Sequence, residues 1–189
     1  MYSHPKLNLI GLAAPARAGK STVAAMLREF RYTEESFAGP IRQFVADLAG
    51  LTLDEMEQTK ERSIPWIGKS PREMMQTLGT EWGRELVSRS LWADRVMQRV
   101  RVLHGEGTPV VISDVRFDNE AEMIRAAGGT VLHIVRPDHA RTTAHHMSEA
   151  GVSRGPSDYF IFNDGTLNDL KHAVTCTHYL LQQQYCPAE

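Results

Sequence analysis

The sequence predicts an α/β domain: a five-stranded, mostly parallel sheet covered by helices on both faces, in three layers. Three observations carry this. Short apolar runs alternate with segments of helical spacing. The runs are apolar throughout, as strands buried on both faces are. The first run leads directly into small residues and then into a helix.

The elements follow in order. Residues 7–12 form a buried strand, and Gly19 to Phe30 a helix with Val23, Met26, Leu27 and Phe30 on one face. Residues 32–37 give a second strand, weakened by Glu34 and Glu35. Gly39-Pro40 starts a helix over 40–51. Residues 54–105 are mostly helical, with helices over 71–78, 81–88 and 93–103 separated by weak breaks. The run TPVVIS, residues 108–113, is a β-branched strand. A helix over 120–127 stops at Gly128-Gly129. Strands follow at 130–135 and 159–162, and Leu167, Leu170, Val174 and Leu181 mark a C-terminal helix.

Composition narrows the class. The chain has 189 residues, a single-domain length, with 42% hydrophobic and 23% charged residues. A net charge of −2 argues against stable nucleic-acid binding or adhesion to an anionic membrane. No apolar run approaches the ~18 residues of a membrane span, and no secretory signal is visible. Cys176 and Cys186 make no disulfide framework, so a cytoplasmic setting is expected.

Ligands of parallel sheets bind outside the carboxyl ends of the strands, so the residues there carry the chemistry. After the first strand, residues 13–22 read AAPARAGKST. The pattern Gly-x4-Gly-Lys-Ser/Thr is met with Ala14 in the first glycine position. A small methyl is expected to clear that turn. Backbone N–H groups of such a loop and the helix behind it face an anion. Ala14, Ala16, Arg17, Ala18, Gly19, Lys20, Ser21 and Thr22 are the expected ATP site. Lys20 would span the β- and γ-phosphates, Ser21 would ligate Mg²⁺, and Arg17 adds charge. The bland alternative is a small-residue turn before a helix.

The TPVVIS strand ends in Asp114-Val115-Arg116. Asp114 stands where a carboxylate can hold a Mg²⁺-bound water, and Arg116 points back over the same cleft. A turn-capping Asp with a solvated Arg is the alternative reading. Arg72 follows Pro71 at a helix start, where a cation is disfavoured by ~0.3–1 kcal/mol unless a phosphate holds it. Residues 137–157, without periodicity, suit a lid. Arg136, Arg141 or Arg154 from this region would reach the transferring phosphoryl group. Its histidines lack a closed four-ligand spacing, which sets zinc aside.

Four segments then share a resemblance: GLAAPARAGKST, SPREMMQTLGTEWGRELVSRSLWADRV, ISDVRFDNEAEMIRAAGGTVLHIVRP, and HHMSEAG with YFIFNDGTLNDL. They reach from residue 9 to about residue 170, and LGTEWGR and DVRFDNE are the telling parts. The chain resembles the bacteriophage deoxynucleoside monophosphate kinase family, within the P-loop nucleoside monophosphate kinase fold. That resemblance implies one kinase domain over 1–189, with a monophosphate-binding helical insertion at about 54–105 and a lid at about 137–157. It implies transfer of the γ-phosphoryl group of ATP, with Mg²⁺, to a deoxynucleoside monophosphate. Lys20, Ser21, Asp114 and Arg116 would serve the transfer. Arg72, Thr80, Glu81, Trp82, Arg84 and Arg116 would shape the monophosphate site, with Trp92 as a wall. Asn163 and Gly165 resemble an adenine-side loop. The family suggests a homodimer, working in a host cytoplasm if phage-encoded. Dephospho-coenzyme A kinase is the nearest alternative, and a P-loop ATPase or nucleotide switch the alternative from another class.

Overall fold

Strand β1 (Leu9–Ala13) lies at the centre of the sheet. It pairs on one side with β3 (Val110–Val115) and on the other with β4 (Thr130–Val135). Outside these lie β2 (Thr33–Glu35), against β3, and β5 (Tyr159–Phe162), against β4. The order is β2-β3-β1-β4-β5, and every pair is parallel. The structure is a computed structural model and describes residues 9–137 and 151–184.

The helices are α1 (Lys20–Glu29), α2 (Gly39–Ala49), α3 (Leu53–Gln58), α4 (Pro71–Gln76), α5 (Leu91–Gly105), α6 (Asp118–Ala126) and α7 (Leu167–Gln184). Alternation along β1 assigns its two faces. Ile10 and Leu12 join Val23 and Leu27 of α1 and Leu170, Val174 and Leu181 of α7 in one buried cluster. Gly11 faces the other way, where a methyl group would lie 2.6 Å from Ile124 of α6. Each large aliphatic side chain so buried contributes about 1.5–3 kcal/mol.

The described chain folds as two compact units, one up to Glu35 and from Arg99 onward, the other Ser36–Gln98. The first holds the sheet. The second is helical, around Val45, Ala46 and Met56 with Leu51, Met74, Met75 and Leu78 against them. Its short helices start on side-chain caps. Thr52 pairs reciprocally with Glu55, and Ser70 with Glu73.

Two sequence expectations change. The second strand is three residues long instead of six. Glu34 and Glu35 lie on a sheet edge, where charge limits further pairing. The helix break expected near Gly79 is absent. Instead α4 continues into a π-helix over Thr77–Val87. Gly79, at the expected break between 71–78 and 81–88, lies inside the wide helical turns.

Candidate active site

The loop from Ala14 to Gly19 joins β1 to α1 and is shaped by its backbone. Arg17 takes a left-handed φ of 62° and Gly19 one of 109°. A methyl group on Gly19 would lie 2.6 Å from Asn163 Nδ2. Asn163, after β5, donates to the Ala18 carbonyl at 2.9 Å, so a residue far along the chain pins the loop. Beyond it, Thr166 and Asp169 cap α7 reciprocally, with Thr166 N–H donating to the Asp169 carboxylate at 2.8 Å. That cap fixes the turn containing Asn163 and Gly165.

A cavity of about 240 Å³ opens at the carboxyl ends of β1, β3 and β4. Ala14, Ala16, Lys20, Val115, Arg116, His133, Val152 and Phe160 are among its lining residues. Lys20 Nζ donates to the carbonyls of Ala14 and Pro15, to the latter at 3.0 Å. Burial lowers the Lys20 pKa from its ordinary value. The positive charge of Arg116 lowers it further, and Asp114 opposes both. An ammonium held this way gains from an incoming anion, because phosphate oxygens restore the stabilisation that carbonyls and a neighbouring cation do not supply. Ser21, in the first turn of α1, is exposed, and Asp114 is half-buried on β3. A hydroxyl and a carboxylate are hard oxygen donors of the kind Mg²⁺ takes, with phosphate and water completing its shell. Among the described residues no cluster of three or more His, Cys, Asp or Glu could hold a metal by itself.

The turn after β3 is held by a residue that the sequence reading passed over. Glu120, 2% exposed in α6, accepts the N–H groups of Arg116 at 2.9 Å and Phe117 at 3.2 Å. A second such group lies beside the cavity. Asp158, immediately before β5, has a fully buried side chain. It accepts from Arg125 at 2.5 and 3.1 Å, from Gly155 N–H at 2.7 Å, and lies 2.9 Å from His133 Nε2. Desolvation pushes its pKa up, but the Arg125, Gly155 and His133 contacts outweigh that and hold it at about 2. Arg125 also donates to the Ser153 carbonyl at 2.7 Å, and Asp118 accepts from Ser153 N–H at 2.7 Å. Helix α6 therefore anchors both the β3 turn and the segment entering β5. Arg125 and Asp158 are 33 residues apart, so no local pattern pairs them. An Asp directly before an apolar strand was the one available signal.

Of the three lid arginines, Arg136 is exposed after β4. Arg154 lies over the Phe160 ring at 5.0 Å, and Arg141 lies outside the described residues. The remaining predicted residues belong to the helical unit, which has its own cavity of about 540 Å³. Phe44, Leu48, Glu73, Thr77, Glu81 and Trp82 are among those lining it. Arg72, Thr80, Arg84 and Trp92 do not line it. Arg72 pairs with Glu61 at 2.6 Å, which gives this helix-start cation a carboxylate partner without any phosphate. Trp92 donates to the Gly79 carbonyl at 3.0 Å. Thr80 is exposed and Arg84 partly buried.

Comparison with known proteins adds to this geometry. A family model described as deoxynucleotide monophosphate kinase matches residues 52–174. The chain is 30% identical, over 183 residues, to an Acanthamoeba polyphaga mimivirus protein that carries the name deoxynucleotide monophosphate kinase. That match covers 89% of this chain and 95% of the relative. It is 34% identical over 102 residues to the deoxynucleotide monophosphate kinase of Escherichia phage RB69, covering 53% of this chain and 41% of that relative. The match therefore spans less than half the length of the phage protein. Among solved structures, a dephospho-CoA kinase from Campylobacter jejuni superposes with a TM-score of 0.53 at 13% identity, covering 93% of this chain and 98% of that one. At that identity the likeness concerns the fold alone. No helix among the described residues is long and apolar enough to cross a membrane.

Proposed function

The chain belongs to the deoxynucleotide monophosphate kinase family, and on that premise we propose that it transfers the γ-phosphoryl group of ATP to a deoxynucleoside 5′-monophosphate. The observation that carries this reading is the convergence of Lys20 and Arg116 on one cavity beside the loop from Ala14 to Gly19. Two cations and a row of backbone N–H groups at a helix start suit a polyphosphate.

In this reading the loop binds the β- and γ-phosphates, and Lys20 exchanges the carbonyls of Ala14 and Pro15 for their oxygens. An oxygen of the acceptor phosphate attacks the γ-phosphorus. The bond between that phosphorus and the bridging oxygen breaks, and ADP leaves with its electron pair. Lys20 and Arg116 spread the charge that develops on the transferring oxygens, with Arg136, Arg141 or Arg154 as a further cation. Mg²⁺, when bound, would neutralise the β- and γ-oxygens, and Ser21 and Asp114 are the residues that would hold it. Asn163 keeps the loop closed by its bond to Ala18, with Gly165 in the same turn on the adenine side.

The helical unit is assigned to the acceptor. Its cavity carries aromatic walls, Phe44 and Trp82, and acidic groups, Glu73 and Glu81. Carboxylates repel a phosphate but accept from the N–H edge of a base, so the cavity suits the nucleobase. Arg72, Thr80 and Arg84 are the remaining acceptor-side candidates.

The test is a panel of acceptors with ATP and Mg²⁺: deoxynucleoside and ribonucleoside monophosphates, dephospho-coenzyme A, and water. Diphosphate formation from deoxynucleoside monophosphates is expected. Turnover of dephospho-coenzyme A alone, or of water alone, would overturn the reading.

A further inference from the structure

The segment Thr77–Val87 runs as a π-helix for 11 residues. Wide turns of this kind are rare, mostly a single turn long, and recur at functional sites. A stretch of this length needs support from outside itself. The support is visible in the motif LGTEWGR, whose glycines, Gly79 and Gly83, are both buried.

Trp92, near the start of α5, occupies the space that Gly83 leaves, while Ile41 fills that beside Gly79, where a methyl group would lie 3.1 Å from its Cδ1. A methyl group on Gly83 would lie 2.3 Å from Trp92 Nε1, 2.8 Å from its Cε2 and 2.9 Å from the Leu78 carbonyl. The indole N–H donates to the Gly79 carbonyl at 3.0 Å, using the carbonyl's second lone pair. The last turn closes with Ser88 N–H on the Gly83 carbonyl at 2.9 Å, a five-residue span. The indole centroid is 6.1 Å from that of Trp82.

Gly79, Gly83 and Trp92 do not line the cavity of the helical unit, but Thr77, Leu78, Glu81 and Trp82 do. An α-helix has about 3.6 residues per turn. Rewinding the segment to that pitch would keep Glu81, four residues on, on the face of Thr77 but carry Trp82, five residues on, away from it and off the cavity wall.

We propose that Trp92, bonded to the Gly79 carbonyl and packed on Gly83, is a positioning residue: it holds the π-helix open and so presents Trp82 to the acceptor. The proposal rests on the reading that this cavity receives the acceptor. Trp92 then acts on specificity without touching substrate, and Gly83 is required because only a hydrogen at its Cα admits the indole.

The experiment is steady-state kinetics on the full chain, varying acceptor and ATP in turn, for Trp92→Ala, Trp92→Phe, Gly83→Ala, the Gly83→Ala/Trp92→Ala double variant, and Trp82→Ala. Trp92→Ala and Gly83→Ala are each expected to raise the acceptor KM roughly ten- to a hundred-fold, the scale of a misplaced binding group. The ATP KM should stay unchanged. Trp92→Phe, which keeps a ring but loses the bond to Gly79, should raise the acceptor KM less. The double variant should cost less than the product of the singles, because the indole clash is gone. Should Gly83→Ala fail to fold, Trp92→Phe and Trp92→Ala, which add no bulk, decide the matter alone. An unchanged acceptor KM in folded Trp92→Ala, with Trp82→Ala still raising it, overturns the positioning role. Equal changes in both KM values overturn it too. If Trp82→Ala leaves the acceptor KM unchanged, the cavity assignment fails instead.

Discussion

In the sheet-bearing unit, Lys20, Arg116 and His133 stand at or near the ends of paired strands, and each, or the loop beside it, is held by a further side chain. Asn163 pins the loop before Lys20, Glu120 holds the turn of Arg116, and Asp158 orients His133. In the helical unit, Glu81 and Trp82 stand on one wide-turn segment beside a small core of Val45, Ala46 and Met56. The Trp92 indole donates to the backbone of that segment, and Leu78 packs on the small core. Phosphate chemistry uses charges and backbone N–H groups at set points, and a paired sheet supplies set points. Shape recognition uses side-chain walls, and a few short helices suffice for those. Substitution in the first unit should therefore change chemistry or stability with positions kept. In the second it should change acceptor binding alone.

The sharpest way to break this contrast is Lys20→Ala. With one charge on the transferring group lost, kcat should fall by about 10²–10³-fold or more. Thermal unfolding should barely move, because Lys20 Nζ donates to carbonyls of its own loop. Unchanged turnover in the folded variant would remove the phosphate-loop assignment.

Next comes Asp158→Asn, which leaves the Arg125 guanidinium without its carboxylate. A broken buried pair costs about 3 kcal/mol, readable by urea or thermal denaturation. A loss within experimental error would show that the anchor of the segment entering β5 is redundant.

The same carboxylate sharpens the contrast through pH. Its folded-state pKa, about 2, lies below its unfolded value. Its stabilisation is therefore whole above about pH 4 and is lost as pH falls toward 2, about 2 kcal/mol in all. Acid titration of stability should show this slope in the wild type and lose it in Asp158→Asn.

The smallest effect belongs to Arg72→Ala. Its ion pair with Glu61 is exposed on both sides, so stability should shift by less than about 1 kcal/mol. If Arg72 also meets the acceptor phosphate, the acceptor KM should rise about ten-fold with the ATP KM unchanged. Weaker ATP binding instead would move Arg72 out of the acceptor site.

Much of the fold was legible because its signals are local. The strands at 130–135 and 159–162 have the bounds read from their apolar runs. The helix read over Gly19 to Phe30 spans Lys20–Glu29, with those two residues as its caps. The π-helix was not legible, because glycine spacing reads the same for a helix end as for a seat for a distant ring. Arg72 reads as an unexplained cation until Glu61, 11 residues earlier, is seen beside it.

The sequence by itself determined the sheet strands and most helices, their order and the loop between the first strand and helix, since periodicity, turn residues and caps act over three or four positions. Only the tertiary structure decided the strand order β2-β3-β1-β4-β5, which sets the ends of β1, β3 and β4 side by side. Only it paired Asp158 with Arg125, Asn163 with Ala18, and Trp92 with the backbone at Gly79. The physical reason is that these contacts join groups made neighbours by sheet register and helix packing. A buried carboxylate or carbonyl takes whichever donor the packed backbone brings within about 3 Å, and no spacing along the chain encodes which one that is.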